Sequence, residues 1–241
     1  MSILSSVLDT LGIGHGLPDP LPPDPFPLLR SWHDEAARDK RIADANAMVL
    51  ATCSATGDPS ARVVLCKSIE DARGSLVFYT SYESRKGREL ESNPRAACVF
   101  YWEEFGRQAR VEGRVERVGA AESDEYFATR PLLSRIGASA SLQSRPMARR
   151  TDLLDRVLAV IKEIGAAPHE LLTAGGPKIP RPAAWGGYRI HATRVELWAA
   201  SKGRLHDRAA WTRDRAGGVH GYAPPYPCAP GRPRLPDHRF S

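Results

Sequence analysis

Residues 47–80 have the sequence AMVLATCSATGDPSARVVLCKSIEDARGSLVFYT, and this stretch decides the fold class. It contains three apolar runs, at 48–53, 61–67 and 76–80, which are separated by a Thr-Gly-Asp-Pro turn sequence and by a loop through Gly74. Short apolar runs punctuated by Gly, Asp and Pro are typical of successive antiparallel strands. The stretch therefore predicts a β-meander.

The alternation of strands and connections continues along the chain, with helices inserted. Further strands are predicted at 95–102, 107–118, 185–191, 195–198 and about 207–213. Helices are predicted from Asp24, which caps a helix whose first residue is Pro25, and at 84–92, 120–129, 131–141 and from Thr151 onward. Six or more antiparallel strands with inserted helices predict an α+β fold: an antiparallel closed or split β-barrel with peripheral helices.

The same patterns predict which segments are buried and how the chain is divided. We expect the strand at 95–102 and the segment from Val63 to Cys66 to be buried in the sheet. The helix from Thr151 is expected to bury an apolar stripe made of Leu154, Val157, Leu158, Ile161 and Ile164. We divide the chain into a flexible N-terminal extension (1–23), one domain (24–215) and an atypical C-terminal tail (216–241).

Composition limits the class of protein without deciding it. The net charge is +6, and Arg accounts for 28 of the 34 basic residues. Arginine suits phosphate recognition, in nucleic acids or in small phosphorylated ligands, although Arg-rich codon usage explains the surplus equally well. The four cysteines follow no metal-ligand spacing, and neither a signal peptide nor a membrane-spanning run is present. A cytoplasmic protein is expected.

Absent motifs exclude several chemistries. The sequence contains no GxGxxG after a strand, no Walker-type loop, no GxSxG, no HxxxH and no CxxC. These motifs carry dinucleotide binding, nucleotide hydrolysis, serine hydrolysis and zinc binding. We therefore expect no metal.

Two constellations in the first half of the chain suggest anion binding. Arg62 and Lys67 lie at the two ends of an apolar strand segment. Because they are five residues apart, their side chains are expected on opposite faces of the strand unless a bulge or the strand end redirects one side chain. The alternative is two strand ends that reach solvent. The second constellation combines the Tyr79-Thr80 pair with Ser84, Arg85 and Lys86 at a helix start, where backbone N–H groups favour phosphate. The alternative is a solvated first turn.

Two more constellations lie in the second half. Tyr126 and Arg130 share a helix face and precede Ser134, a set that suits a phosphate monoester, although Tyr–Arg surface pairs are common. After Trp198, strand alternation would place Arg204, His206 and Arg208 on one face, or alternatively on a solvent-exposed edge strand.

Taken in order, these segments resemble the pyridoxamine 5'-phosphate oxidase family. The resemblance covers about residues 24–213 and is carried by AMVLAT (47–52), GDPSARVVLCK (57–67), FYT (78–80), ESRKGRELESNPRA (83–96), RQARVEGRVER (107–117), YFATRP (126–131), QSRP (143–146), WGGYR (185–189) and RLHDR (204–208). Family members are homodimeric split barrels with FMN at the subunit interface, so the resemblance implies these properties for this chain.

The resemblance also implies residue roles. Cofactor contacts are expected from Arg62, Val63, Val64, Leu65, Cys66, Lys67, Tyr79, Thr80, Arg85, Lys86, Gln108, Gln143, Ser144, Trp198 and Arg208. Substrate contacts are expected from Lys67, Tyr126, Arg130, Ser134, Arg204 and His206, and the last two are expected to be catalytic because they would flank the substrate ring.

The implied reaction is FMN-dependent oxidation of pyridoxine or pyridoxamine 5'-phosphate by O2, which gives pyridoxal 5'-phosphate and H2O2. The alternatives are a related flavin oxidase acting on another ring and a non-catalytic binder of FMN or pyridoxal phosphate. A nucleic-acid-binding barrel is disfavoured because the interleaved exposed aromatics needed for base stacking are missing. We expect neither a nucleic-acid partner nor a membrane.

Overall fold

The computed structural model describes residues 16–141, 143–144, 146–149, 151–166, 170–171, 177–202, 205–214 and 218–222. Over these residues the helices are α1 (Phe26–Arg38), α2 (Arg85–Ser92), α3 (Ala120–Thr129), α4 (Leu132–Ala140) and α5 (Thr151–Ile164). The strands are β1 (Ala47–Cys53), β2 (Pro59–Glu70), β3 (Ser75–Ser81), β4 (Arg95–Trp102), β5 (Arg107–Arg117), β6 (Trp185–Ala199), β7 (Asp207–Arg213) and β8 (Val219–Tyr222).

The strands form one antiparallel sheet that closes on itself. Their order is β3-β2-β1-β4-β5-β6-β7-β8, and an additional pairing of β3 with β6 closes six of them into a barrel. Beyond the barrel, β7 and β8 extend the sheet from β6. The prediction of an antiparallel split barrel with peripheral helices is confirmed.

The prediction of two strands at 185–191 and 195–198 was wrong, because these residues belong to one strand, β6, of 15 residues. Its first half pairs with β3 and its second half with β7. Thr193 is the extra residue of a bulge opposite Glu112 and Gly113 on β5, and this irregularity breaks the sequence alternation without ending the strand. A Cβ at Gly113 would clash with the carbonyl oxygen of His191, so the bulge requires glycine there.

The barrel interior is apolar, and α1 packs against it. Phe26, Leu29 and Trp32 of α1 are buried in the same cluster as Phe78 and Phe100 of the strands. The predicted helix start is off by one residue, because the N-cap is Pro25 and the helix begins at Phe26. Asp24 lies just before the cap, and its carboxylate oxygen accepts a hydrogen bond from the Phe26 N–H at 2.9 Å. This packing fixes the barrel from which the site is built.

Three burial predictions were wrong. Strand β4 is buried on one face only, because its side chains alternate between the core and the outside. On β2, alternation likewise leaves Val63 64% exposed and Leu65 37% exposed. Helix α5 has no fully buried residue. Its half-buried face contains Leu153, and the predicted stripe residues Leu154 and Leu158 lie outside that face and are exposed.

The ends of the described chain contact the barrel. The Gly16 N–H donates to an Asp207 carboxylate oxygen at 2.8 Å, and Trp211 Nε1 donates to the carbonyl of Pro22 at 2.8 Å. Strand β8, which was not predicted, pairs with β7 inside the range assigned to the atypical tail. The remainder of that tail and residues 1–15 lie outside the described residues, and the division at 23 and 215 stays a prediction.

Two features are absent from the residues that the structure describes. No helix there combines the length and the apolar character needed to cross a membrane. The same residues contain no group of three or more His, Cys, Asp or Glu side chains arranged to hold a metal ion.

Candidate active site

The barrel is split between β2 and β3. These strands pair only from Cys66–Phe78 to Glu70–Ser75. Beyond that point β2 continues toward Pro59 beside β1, while β3 continues to Ser81 beside β6. The two strands therefore diverge, and a cavity of about 530 Å³ lies in the gap.

Residues from six elements and their connections line this cavity. Twelve of the predicted site residues are among them: Arg62, Val63, Val64, Leu65, Lys67, Tyr79, Thr80, Lys86, Tyr126, Arg130, Ser134 and Gln143. Three lining residues were not predicted as site residues: Thr129, Pro131 and Trp185. Segments far apart in sequence thus converge on one site.

The backbone of β2 contributes to the wall. The Cys66 N–H donates to the carbonyl of Asn46 at 2.8 Å, which directs the backbone groups of Cys66 toward β1. Because successive residues of a strand direct their backbone groups to opposite edges, those of Val63 and Leu65 face the gap. The split therefore presents peptide N–H donors beside the cationic side chains.

Arg62 and Lys67 both line the cavity despite their five-residue spacing. The register of β2 against β3 shifts between Cys66 and Ser68, so Lys67 is the extra residue of a bulge. The sequence predicted opposite strand faces for Arg62 and Lys67 unless a bulge intervened, and the structure has this bulge at the point where β2 separates from β3.

A buried carboxylate that the sequence did not single out holds Arg62. Glu89 of α2 is 6% exposed and accepts hydrogen bonds from Thr52 at 2.5 Å, Ser60 at 2.6 Å and Arg85 Nε at 2.8 Å. Its Oε2 lies 3.4 Å from Arg62 Nη2. Burial opposes ionisation, but these hydrogen bonds and the charge of Arg62 bring the pKa of Glu89 to about 2. Its i,i+4 spacing from Arg85 was the available signal.

Lys86 points into the cavity from the first turn of α2. The helix begins where it was predicted, and Ser84 caps it by accepting from the Gly87 N–H at 3.2 Å. The Lys86 ammonium donates to Thr80 Oγ1 at 3.0 Å, Ser84 Oγ at 3.2 Å and Gln143 Oε1 at 3.5 Å, all neutral groups. Burial and the nearby Arg62 lower the pKa of Lys86 to about 8. The pair of cations is arranged for an anion such as phosphate.

A second cationic group lies across the same cavity. Arg130 follows α3, Pro131 then interrupts the helix, and Ser134 lies in the first turn of α4, as predicted. Arg130 Nη1 is buried and finds no hydrogen-bond partner within the part of the chain that the structure describes. Burial lowers the pKa of the Arg130 guanidinium. A buried guanidinium N–H without a partner is costly unless a ligand accepts from it.

Aromatic rings connect the two cationic groups. The rings of Tyr79 and Tyr126 stack with centroids 3.9 Å apart, and Trp185 stacks on Tyr79 at 5.4 Å. The Arg130 guanidinium lies 4.7 Å from the Trp185 ring centroid. Burial raises the pKa of Tyr79 to about 12, so its hydroxyl stays a hydrogen-bond donor at neutral pH.

Some predicted residues do not line this cavity. Arg85 projects outward and pairs with Glu89, and Ser144, with φ of 61°, is also not part of the lining. The Cys66 side chain lies in the barrel core, where burial raises its pKa to about 12. Arg204 lies outside the described residues. The expected alternation of residues 204–208 on one strand was wrong, because β7 begins only at Asp207.

The other predicted residues form a second patch on the outer face of the sheet. Gln108 pairs with Trp198, and Trp198 pairs with Arg208, so the three make a row across β5, β6 and β7. His206 packs on Trp198 with ring centroids 4.7 Å apart. In one protomer this patch and the cavity are separate.

An exposed apolar surface accompanies the cavity and the patch. It consists of outward-facing residues of β1, β2 and β4, namely Val49 (43% exposed), Val63 (64%), Leu65 (37%) and Tyr101 (58%). Val63 and Leu65 also line the cavity, while Tyr101 pairs with Gln108 of the patch. A continuous apolar surface of this kind is typical of a protein–protein interface.

A closed six-stranded antiparallel barrel whose split carries two cationic groups defines a protein of the split β-barrel class. A family model described as pyridoxamine 5'-phosphate oxidase matches residues 34–163. A second, described as the pyridoxine 5'-phosphate oxidase C-terminal dimerisation region, matches residues 185–221.

Named relatives agree with these matches. The pyridoxine/pyridoxamine 5'-phosphate oxidase of Cupriavidus necator is 50% identical over 189 residues, 78% of this chain and 82% of the relative. That of Bordetella pertussis is 46% identical over 199 residues, 79% of this chain and 88% of the relative. Among solved structures, PhzG from Burkholderia lata in complex with tetrahydrophenazine-1-carboxylic acid is 33% identical with a TM-score of 0.73, covering 86% of this chain and 95% of PhzG.

The chain belongs to the pyridoxamine 5'-phosphate oxidase family. It is an oxidoreductase of that family.

Proposed function

We propose that this protein oxidises pyridoxine 5'-phosphate or pyridoxamine 5'-phosphate to pyridoxal 5'-phosphate, with FMN as cofactor and O2 as electron acceptor, releasing H2O2. The observation that carries this proposal is that two sets of cationic and hydroxyl-bearing side chains line one cavity, and each set suits a phosphate group. Arg62, Thr80 and Lys86 form one set; Tyr126, Arg130 and Ser134 form the other. FMN and the phosphorylated vitamin each bring one phosphate.

The residues present fit FMN at the first set. Two cations, a hydroxyl and the backbone N–H groups of the β2 edge suit a phosphate dianion. The cavity volume of about 530 Å³ lies in the usual range for small-molecule sites. Bound FMN would supply the redox chemistry by accepting two electrons from the substrate and passing them to O2. Arg85 remains a proposed contact, because it precedes Lys86 in the first turn of α2. For Cys66 the proposal is limited to its place in β2 between Leu65 and Lys67, since its side chain lies in the core.

The chain's own residues bind and orient the substrate. Arg130, Tyr126 and Ser134 hold its phosphate, and Lys67 lines the same cavity as a further cation. Holding both phosphates fixes the substrate ring against the cofactor and converts an encounter into a positioned reaction. Arg204 and His206 are the proposed catalytic residues, which flank the ring.

The complete site requires a homodimer. Gln108, Trp198 and Arg208 are proposed FMN contacts, yet they lie in a patch apart from the cavity of their own protomer. We call the cavity and the patch the two half-sites. The exposed apolar surface lies beside both of them, so a second copy that packs on this surface would bring its patch next to the cavity of the first copy. The family model for a dimerisation region, which spans 185–221, supports this arrangement. Gln143 and Ser144 complete the proposed cofactor contacts.

The free thiols of Cys53, Cys66 and Cys98 are consistent with the cytoplasm as the proposed compartment. A second candidate function, oxidation of a different ring by the same cofactor, is favoured by the similarity to PhzG. Tyr126, Arg130 and Ser134 favour the phosphorylated substrate, because two hydroxyls and a guanidinium with an unpartnered N–H together suit a phosphate monoester.

An anaerobic titration of the purified, FMN-loaded protein tests the proposal. We expect pyridoxamine or pyridoxine 5'-phosphate to bleach the flavin absorbance stoichiometrically, and admission of O2 to restore it with formation of H2O2. A yellow protein whose flavin no phosphorylated B6 vitamer reduces would contradict the proposal. Bleaching by a non-phosphorylated tricyclic ring alone would favour the second candidate.

A further inference from the structure

Trp185 lines the cavity but belongs to neither set of phosphate-binding residues proposed for it. It is the first residue of β6 and is 5% exposed. Its ring lies nearly parallel to Tyr126, with an interplanar angle of 6° and centroids 6.3 Å apart, and stacks on Tyr79 at 13°. The Arg130 guanidinium lies 4.7 Å above it.

The surroundings of Trp185 fix its ring. Phe127 of α3 packs edge-on at 5.0 Å with an interplanar angle of 65°. The carbonyl of Trp185 accepts from Arg181 Nη1 at 2.5 Å, and Arg181 Nε pairs with Asp124 of α3 at 2.7 Å. The same helix that carries Tyr126 is therefore fastened to the residue on which Tyr126 stacks.

Arg130, in contrast, has little else to position it. None of the ion pairs formed among the described residues includes Arg130, and its Nη1 is buried without a hydrogen-bond partner. Its side-chain contacts are cation–π contacts, to Trp185 at 4.7 Å and to Phe127 at 5.7 Å. The guanidinium is thus oriented by aromatic faces, which leaves its N–H groups free for a ligand.

We infer that Trp185 is a positioning residue that orients Arg130 and Tyr126 toward the substrate phosphate and so sets the preference for phosphorylated over unphosphorylated B6 vitamers. This inference rests on the proposed function, since it assigns the second cationic group to the substrate. A desolvated cation–π contact and an aromatic stack together affect affinity by roughly tenfold or more. Trp185 acts through Arg130, so its loss is felt only by ligands that carry a phosphate.

The test compares the FMN-loaded Trp185→Leu enzyme with wild type on pyridoxamine 5'-phosphate and on pyridoxamine. We expect kcat/KM to fall at least tenfold for the phosphorylated substrate, mainly through KM, and to change less than twofold for pyridoxamine. Trp185→Phe, which keeps an aromatic face, should recover most of the loss. Equal losses on both substrates, or no loss on either, would overturn the inference.

Two controls separate positioning from a general loss of structure. Trp102 is a buried tryptophan that stacks on Phe100 in the core and does not line the cavity, so Trp102→Phe should leave the ratio of the two substrates unchanged. In an Arg130→Ala background, Trp185→Leu should have little further effect on the phosphorylated substrate. An undiminished effect there would contradict action through Arg130.

A binding measurement distinguishes failure of this inference from failure of the proposed function. Pyridoxal 5'-phosphate and pyridoxal are titrated against each protein and followed by their own absorbance. Wild-type protein that never turns over pyridoxamine 5'-phosphate would contradict the proposed function. Even then, a selective loss of pyridoxal 5'-phosphate affinity in Trp185→Leu would support the role of Trp185, and equal affinities would refute it.

Discussion

Lys86 carries a charge that its surroundings disfavour. Its ammonium is partly buried, contacts only neutral oxygens and lies near Arg62, and burial is the main reason why its pKa falls from 10.5 to about 8. Below pH 8 the ammonium is charged in both the folded and the unfolded protein, so this penalty is fully present at neutral pH. The penalty disappears as the pH rises from about 8 to 10.5. A phosphate in the cavity would remove it at any pH.

Substitution of Lys86 by Met should therefore raise the stability of the apoprotein and lower its affinity for FMN. We expect the Tm of the apoprotein at pH 7 to rise, because a poorly solvated charge is removed. FMN affinity should fall by roughly 10- to 100-fold, because a charge-assisted hydrogen bond to phosphate is lost. Differential scanning fluorimetry and flavin fluorescence quenching measure the two effects. A lower Tm together with unchanged affinity would contradict this account of Lys86.

The same group predicts a pH dependence of cofactor binding. The FMN phosphate favours the protonated form of Lys86, so above pH 8 the binding of FMN to the apoprotein takes up a proton. FMN affinity should therefore fall roughly tenfold between pH 7 and 9.5. Lys86→Arg keeps its charge over this range and serves as the control. If wild type and Lys86→Arg lose affinity in parallel, Lys86 is not the titrating group.

The sequence predicted most residues of the cavity and missed two that support it. Arg62 and Lys86 were found because cations bracketing a strand or opening a helix are unfavourable without an anion. Arg130 was found because, together with Tyr126 and Ser134, it makes a set that suits a phosphate monoester. Glu89 was missed because an Arg–Glu pair at i,i+4 is usually a solvated surface pair. Trp185 was missed because stacking against Tyr126, 59 positions away, depends on tertiary structure.

At the scale of elements, Glu89 fastens α2 to the barrel. It accepts from Thr52 of β1 and Ser60 of β2 and lies beside Arg62, so it fixes the helix start against the strands that border the split. We expect Glu89→Gln to lower stability by about 2 kcal/mol, or roughly 5 °C in Tm. Glu91 lies on the same helix as Glu89 and forms an exposed ion pair with Arg117 of β5. Glu91→Gln removes this pair and should lower the stability by less than about 0.5 kcal/mol.

The contribution of Glu89 should depend on pH in one direction. Its pKa is lowered from 4.5 to about 2, so its stabilising effect is fully present above pH 4.5 and is lost as the pH falls toward 2. The stability difference between wild type and Glu89→Gln, measured by urea unfolding, should therefore shrink below pH 4.5. A difference that grows in acid would contradict the ion-pair account.

Element boundaries show where sequence patterns stop being informative. The strands from 47 to 80 were predicted closely, because Gly and Pro mark their turns. The region from Trp185 to Ala199 was predicted as two strands, because a bulge at Thr193 disturbs the alternation where β6 changes partners. Burial of α5 was mispredicted because an apolar stripe does not specify which of its edges a neighbour covers.

At the scale of the whole molecule, the two half-sites predict that cofactor binding and dimerisation depend on each other. Val49 is 43% exposed on the apolar surface, but it does not line the cavity. We expect Val49→Asp to give a monomer in sedimentation velocity that no longer retains FMN, because a buried unpaired carboxylate is costly at an interface. Val49→Thr, which has a similar shape and no charge, should remain a yellow dimer. A Val49→Asp monomer that binds FMN with wild-type affinity would contradict a shared site.

A crystal structure with FMN and pyridoxal 5'-phosphate bound tests the central claim most directly. Our account predicts the FMN phosphate against Arg62 and Lys86 and the vitamin phosphate against Arg130 and Ser134, with the two rings stacked in the split of the barrel. Density for either phosphate outside this cavity, or one phosphate occupying both cationic groups, would contradict it.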